Sequence, residues 1–247
     1  MKTRYKILIS FLLGICLISI GVHLGGAQEL KEYSWIRDID LRRNAQRIHD
    51  QEEVFGNIRE LKLDLSHTDV QIHEEDSHHN QQIKVVARHL YDTFEMKVDH
   101  DTLKIEQAKS IFKKYKKGTT QIDIYVPRGY VFDEVDIDAR AGHNVLRNIH
   151  TRELRLDAAM GKVDIQNLKC MRELKVDGAL GKVNIDLIGK EDDFDYEVST
   201  LLGSISIGRE HYAGLASHKM LKGIGRLIDV DSFAGKINIT MKEDMYV

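Results

Sequence analysis

The chain has 247 residues, enough for one large domain or two small ones. Hydrophobic residues make up 42% and charged residues 30%, which excludes a disordered chain and a polytopic membrane protein. A net charge of −3 supplies no field for gathering nucleic acid, and 2 cysteines cannot staple a secreted domain.

Lys2, Arg4 and Lys6 precede an apolar run from Ile7 to Val22, which Gly25 and Gly26 close. At 1.5 Å per residue, about 20 residues cross about 30 Å of hydrocarbon, so residues 7–26 are expected to form one transmembrane signal anchor. Cations stand before the run and none follows until Lys31, which places residues 1–6 in the cytoplasm and the rest outside it. A cleaved signal peptide is the alternative, with the small residues Gly25 and Ala27 third and first before the cut. Cys16 lies inside the apolar run, so Cys170 has no partner across the membrane and reads as buried packing.

Residues 27–60 are polar, with Leu30, Tyr33, Ile36 and Ile39 at loose helical spacing, and are expected to form a partly helical membrane-proximal stalk. From Leu61 the apolar period becomes two, as in strands. A pattern of two short apolar alternations joined by a small residue and usually a glycine then recurs. The first copy is Leu61, Leu63, Leu65, Thr68, Val70 and Ile72. Further copies start at Val135, Leu154, Leu174, Tyr196 and Ile228, with corner glycines Gly142, Gly161, Gly181, Gly203 and Gly235. Asn144 breaks the apolar pattern of the second copy. Starts 19, 20 and 22 residues apart predict an all-β, β-solenoid or β-helix-like repeat domain over 61–247. Stacked at about 4.8 Å, the copies bury one core that none could bury alone.

Between the first two copies, Ile83–Ala87, Phe94–Val98, Leu103–Ile105 and Ile122–Val126 alternate and read as an antiparallel meander insertion. Residues 208–227 read as a surface excursion. A single proline leaves nearly every backbone donor free for the ladders, although average usage of about 5% would give roughly a dozen.

The anchor ending in Gly-Gly, the line Leu61-Lys-Leu-Asp-Leu-Ser-His-Thr-Asp-Val-Gln-Ile72, the strands Thr102–Ile105 and Ile122–Tyr130, and the glycine-cornered copies together resemble the bacterial putative-adhesin family of β-strand-repeat envelope proteins, which includes LiaG-like members. The resemblance spans about residues 55–241. It implies a membrane-tethered extracytoplasmic β-solenoid of unknown function, often linked to envelope stress, without an established enzymatic site. The family corner is commonly Ser-Gly-Asp. Here it reads Gly161-Lys162, Gly181-Lys182 and Gly235-Lys236, which weakens an acidic, metal-binding edge.

Four groups of residues invite chemistry. Asp64, Asp138, Asp157, Asp177 and Asp231 share one repeat position, with Ser199 in the remaining copy, and form an outward acidic column that either holds Ca²⁺ or caps the corners. Lys162, Lys182 and Lys236, five residues on, are placed to neutralise it. His67, Asp69, His73, Glu74, Glu75, Asp76, His78 and His79 are dense in metal-ligand types but read as a solvated turn, so no metal site is assigned. Lys113, Lys114, Lys116 and Lys117, with Lys109, surround Phe112 and Tyr115, as an anion- or surface-binding patch or a solvated loop beside a strand edge. Gly223-Ile-Gly225 is a fragment of a phosphate loop, and no nucleophile elbow or Walker motif occurs.

The expectation is a non-enzymatic, single-pass protein of the bacterial cell membrane without cofactor or catalytic residues. Its partners are the cytoplasmic membrane and an unidentified envelope protein or wall polymer, not nucleic acid. The alternatives are a scaffold self-assembling through its solenoid ends and a polysaccharide-active β-helix enzyme using neighbouring aspartates.

Overall fold

Alternation at period two runs on from Gln51 to Lys242, and in a computed structural model it builds a single parallel stack with antiparallel strands at its ends. The structure describes residues 50–76, 81–90, 94–107, 120–220 and 223–243. The expected anchor and the lysine patch at 109–117 lie outside the described residues, among which no helix is long and apolar enough to cross a membrane.

Eleven strands occur among the described residues: β1 (Gln51–Gly56), β2 (Glu60–Glu75), β3 (Gln82–Arg88), β4 (Phe94–Asp99), β5 (Thr102–Gln107), β6 (Thr120–Pro127), β7 (Val131–Arg147), β8 (His150–Ile188), β9 (Asp195–Ile207), β10 (Glu210–Met220) and β11 (Leu227–Lys242). Their order is β1-β3-β6-β2-β7-β8-β11-β9-β10, with β5 paired to both β2 and β4. β8 is long because it holds two successive copies, the third and the fourth. The parallel pairs keep the copies in register: Leu61 lies opposite Val135, Val135 opposite Leu154, and Leu174 opposite Ile228. Alternate residues from every copy then enter one buried cluster. Burying each such aliphatic side chain contributes about 1.5–3 kcal/mol before the entropy of ordering is subtracted.

Three expectations about the order of the chain change. The first concerns the stalk: Gln51–Gly56 is a strand paired antiparallel to β3, Phe55 packs on the core and Ile58 is fully buried. The second concerns the meander. β5 and β6 both run parallel to β2, with Leu103 beside Leu61 and Ile122 beside Val70, so together they make one more rung, interrupted between Gln107 and Thr120. In this part of the chain antiparallel pairing is limited to β4 on β5, β3 on β6 and β1 on β3. Leu103, Ile105, Ile122 and Ile124 are fully buried, and only the β2 register lets them extend the same core.

The third change concerns stacking order. β11, the sixth copy, lies between the fourth copy in β8 and the fifth copy in β9, with Ile228 opposite both Leu174 and Tyr196. The excursion after β9 forms β10, which covers the outer side of β9 antiparallel. The loop that leads back is held by Asp195, whose carboxylate accepts the backbone N–H groups of Gly223 (3.1 Å), Ile224 (3.0 Å) and Gly225 (3.4 Å). This sets β11 beside β9 and assigns the Gly223-Ile-Gly225 fragment a structural duty.

Each regular rung turns at two kinds of corner. One is the glycine corner. The other carries Asn148 and Asn167 at positive φ (55° and 53°), where the Asn167 side chain donates to the Asn148 side-chain oxygen at 2.9 Å. Asparagine tolerates this left-handed conformation better than most residues, because its short amide bonds locally.

Candidate functional site

The glycine corner brings together most of the residues singled out from the sequence. Gly142, Gly161, Gly181, Gly235 and Gly203 stack in that order, so closely that a Cβ on Gly161 would lie 2.0 Å from the Gly142 carbonyl oxygen. On Gly181 it would lie 1.8 Å from the Gly161 oxygen, and on Gly203 1.8 Å from the Gly235 oxygen. Only a residue without Cβ lets the rungs close to ladder spacing at this point. The β5–β6 rung solves the corner differently: Gln107 is buried there, and its side-chain oxygen accepts Ser66 Oγ at 3.3 Å and Thr68 Oγ1 at 3.1 Å. This rung is interrupted between Gln107 and Thr120, where other copies have their glycine.

Immediately before each glycine sits the tip of the corner: Ala141, Met160, Leu180, Ala234 and Leu202. Met160, Leu180 and Leu202 are 53%, 49% and 61% exposed. Phe233 and Leu201, one residue earlier, are half-exposed. Three residues before the tip stands the acidic column, running Asp64, Asp138, Asp157, Asp177, Asp231 and Ser199 through the stack, with Glu106 beside Asp64 at its far end. One residue after the glycine stand His143, Lys162, Lys182, Lys236 and Ser204.

Among the described residues these lysines make no ion pair with the column aspartates, because the corner turns between the two rows. Lys162 pairs instead with Asp164, two residues further on. Asp164 also meets His143 Nε2 at 2.9 Å and accepts the side-chain amide of Asn184, which in turn accepts that of Asn238 at 2.8 Å. Burial raises the Asp164 pKa, but the bonds from Lys162, Asn184 and His143 outweigh it and bring the carboxyl to about 2. Within the column the balance is reversed: burial, then the Asp177 and Asp138 charges and a hydrogen bond with Asp177, hold Asp157 above the usual carboxylate range. Asp231 accepts the Ser199 hydroxyl. These bonds run between rungs rather than into each residue's own corner.

The acid-and-histidine segment is divided among local tasks. Asp69 accepts the His143 backbone N–H at 2.8 Å, His73 packs edge-on against Tyr125, Glu74 accepts the Gly129 N–H at 2.7 Å, and Asp76 pairs with Arg128 at 3.1 Å. His78 and His79 lie outside the described residues. Among the described residues no group of three His, Cys, Asp or Glu side chains is placed to hold a metal ion. Cys170 is buried and its thiol is pushed up to about 11 by burial.

Sequence reading missed two polar features. One is the Asp164–Asn184–Asn238 ladder, whose signal was the run of amide and acid residues two positions after the corner cations. The other is the core position of Asn144, fully buried between Val70 and Val163, where neither side-chain amide atom has a hydrogen-bond partner among the described residues.

The glycine-cornered stack is matched by the family described as Toastrack DUF4097, over residues 58–245. The chain belongs to this family. No curated protein is recognisably similar to it. Among solved structures, the Toastrack domain is similar to a protein named putative cell adhesion protein from Clostridium sporogenes, at 14% identity and a TM-score of 0.53, covering 78% of this chain and 100% of that one. It is also similar to one named putative adhesin from Bacteroides fragilis, at 11% identity and a TM-score of 0.35, covering 77% and 95%. At such identities the first likeness concerns the fold alone.

Proposed function

We propose that this Toastrack protein is a non-enzymatic module of the bacterial cell envelope. Residues 7–26 hold it in the cytoplasmic membrane with the N-terminus inside, and the strand-repeat domain acts outside as an adhesin-like interaction surface linked to envelope stress. The observation that carries this reading is the repetition of one surface chemistry, rung after rung, along the glycine corner. A linear array of equivalent tips and charges suits an extended partner such as an envelope protein or wall polymer. The lysine-rich segment at 109–117 adds a cationic contact for lipid headgroups or wall polyanions. The fold shared with a protein named for cell adhesion is consistent with it.

The test is protease digestion of intact spheroplasts carrying a tag at each end of the chain. The C-terminal tag is expected to be cut and the N-terminal tag spared; survival of the C-terminal tag beside a digested extracytoplasmic control overturns the topology. Crosslinking in intact cells, followed by identification of what co-purifies, then names the partner.

A further inference from the structure

We propose that the glycine corner is a homodimer interface, in which two copies of this chain pack tip to tip about a two-fold axis parallel to the stacking direction. Three of the eight large hydrophobic side chains exposed among the described residues fall in one row, Met160, Leu180 and Leu202, and Ala141 and Ala234 complete it. Five rungs at about 4.8 Å make a narrow apolar ridge about 20 Å long. Phe233 and Leu201 widen it, and neither is packed against the core. Aligned, half-exposed apolar side chains of this kind mark a contact surface.

The flanks select the occupant. On one side of the tips runs Asp138, Asp157, Asp177 and Asp231, with Lys175 3.5 Å from Asp177; on the other stand His143 and Lys162, both bound to Asp164, and then Lys182 and Lys236. A uniformly anionic bilayer or polymer laid along the ridge would attract one row and repel the other. A second copy turned by 180° about the stacking direction meets both rows with the opposite charge. Every rung then faces its own counterpart, tip against tip, with the acidic flank of each chain opposite the cationic flank of the other. A two-fold axis across the stack would set acid against acid. Isologous pairing of this sort closes at two chains and does not polymerise.

The inference deepens the proposed function and rests on it in one respect. Parallel stacks put β1, by which each chain enters the sheet, at the same end of both copies, as two chains tethered in one bilayer require. The ridge is too narrow for tight association in dilute solution, since exposed ion pairs contribute about 0–1 kcal/mol each. Tethering raises the effective concentration and supplies the rest.

The experiment uses the full chain with Cys16→Ser, so that the buried Cys170 is its remaining native thiol. Leu180→Cys places a thiol on the proposed axis, and Gln166→Cys places one on an exposed position away from it. With a short, membrane-permeant bismaleimide in intact cells, Leu180→Cys is expected to give at least about tenfold more crosslinked dimer than Gln166→Cys. Adding Lys182→Asp, which sets acid against acid across both seams, is expected to reduce that yield about fivefold, and adding Asp177→Lys as well to restore it. Equal crosslinking at the two sites, indifference to Lys182→Asp, or no rescue by the double exchange overturns the proposal. So does binding of the chain to anionic vesicles through the ridge without any crosslinked dimer. A permeant reagent reports on the dimer in intact cells whichever side of the membrane the protease experiment places the domain on, so the two readings fail separately.

Discussion

Replacing Gly181 by alanine tests the physical basis of the stack. The added Cβ would stand 1.8 Å from the Gly161 carbonyl oxygen and 3.0 Å from its carbon, both backbone atoms that no rotamer change can move. The native φ of 149° is itself one that side-chain-bearing residues rarely adopt. A carbon–oxygen contact relaxes only at about 3.3 Å, so two rungs must part by about 1.5 Å. That takes ladder hydrogen bonds of about 2.9 Å beyond bonding distance on both sides of the corner. Two or three lost bonds at about 1 kcal/mol each, with about 1–3 kcal/mol of backbone strain, give a loss of about 3–6 kcal/mol. Against a total stability of about 5–15 kcal/mol, much of the fold is at stake. Gly178→Ala is the matched control: its Cβ would meet Val183 Cγ2 at 3.7 Å and the Asp231 carbonyl oxygen at 3.8 Å, which are ordinary contacts, and Ala139 and Ala158 already fill that position in other copies. It is expected to be neutral or to stabilise by about 0.5–1 kcal/mol. Urea unfolding followed by circular dichroism measures both. A Gly181→Ala protein within about 1 kcal/mol of the parent, or a Gly178→Ala protein as damaged as its neighbour, would refute the close-packing argument.

Four further outcomes follow from the same contacts. Asn144→Val, which continues the Val70–Val163 column and removes an unsatisfied buried amide, is expected to raise stability by about 1–3 kcal/mol in chemical denaturation. The stabilisation from Asp164, whose folded pKa of about 2 lies below the ordinary 3.8, is complete above about pH 4 and fades as pH falls toward 2. Asp164→Asn is therefore expected to cost about 1–2 kcal/mol at neutral pH and to flatten the acid limb of a stability-against-pH curve. Asp157 has the opposite sign: a raised folded pKa means that its charge opposes folding at neutral pH, and that this cost falls as pH drops toward the ordinary value. Thermal melts of Asp157→Asn should run slightly higher at pH 7, by no more than a few tenths of a kcal/mol because the group is exposed, with the gain shrinking near pH 4. Cys170, buried and pushed up to about 11, is expected to resist a thiol reagent at pH 7.5 until denaturant is added.

Strand identity, the copies, their corners and the face each residue takes were legible because period two and a recurring glycine are local signals. Neighbourhood was not. Parallel rungs built on one apolar pattern are nearly interchangeable partners, so nothing in Ile228, Val230 or Ile237 said that the sixth copy would enter between the fourth and fifth. The deciding contact is made by Asp195 with a loop about 30 residues away, and no periodicity encodes it. The split rung of β5 and β6 was hidden similarly, since Leu103–Ile105 and Ile122–Val126 alternate alike whether the pairing is parallel or antiparallel. At the corner, residue types and spacing identified both charged rows. Their separation depended on the tip turning between them, and five residues of spacing alone suggested that they touch. Asn148 and Asn167 share an offset of 13 from the starts of their copies, a signal present in the sequence and passed over.

The placement of β11 also has a bearing on biosynthesis. Among the described residues β9 pairs with the stack through β11, its other neighbour being β10. A nascent chain that has emerged as far as Met220 therefore holds a finished fourth copy and a detached hairpin, each with an open ladder edge of matching pattern. Docking the two directly would be premature, because it would shut out the strand still to come. The last ladder thus serves as a keystone: until it is inserted, β8 and β9 each present an open ladder edge, the kind of edge that invites wrong pairing.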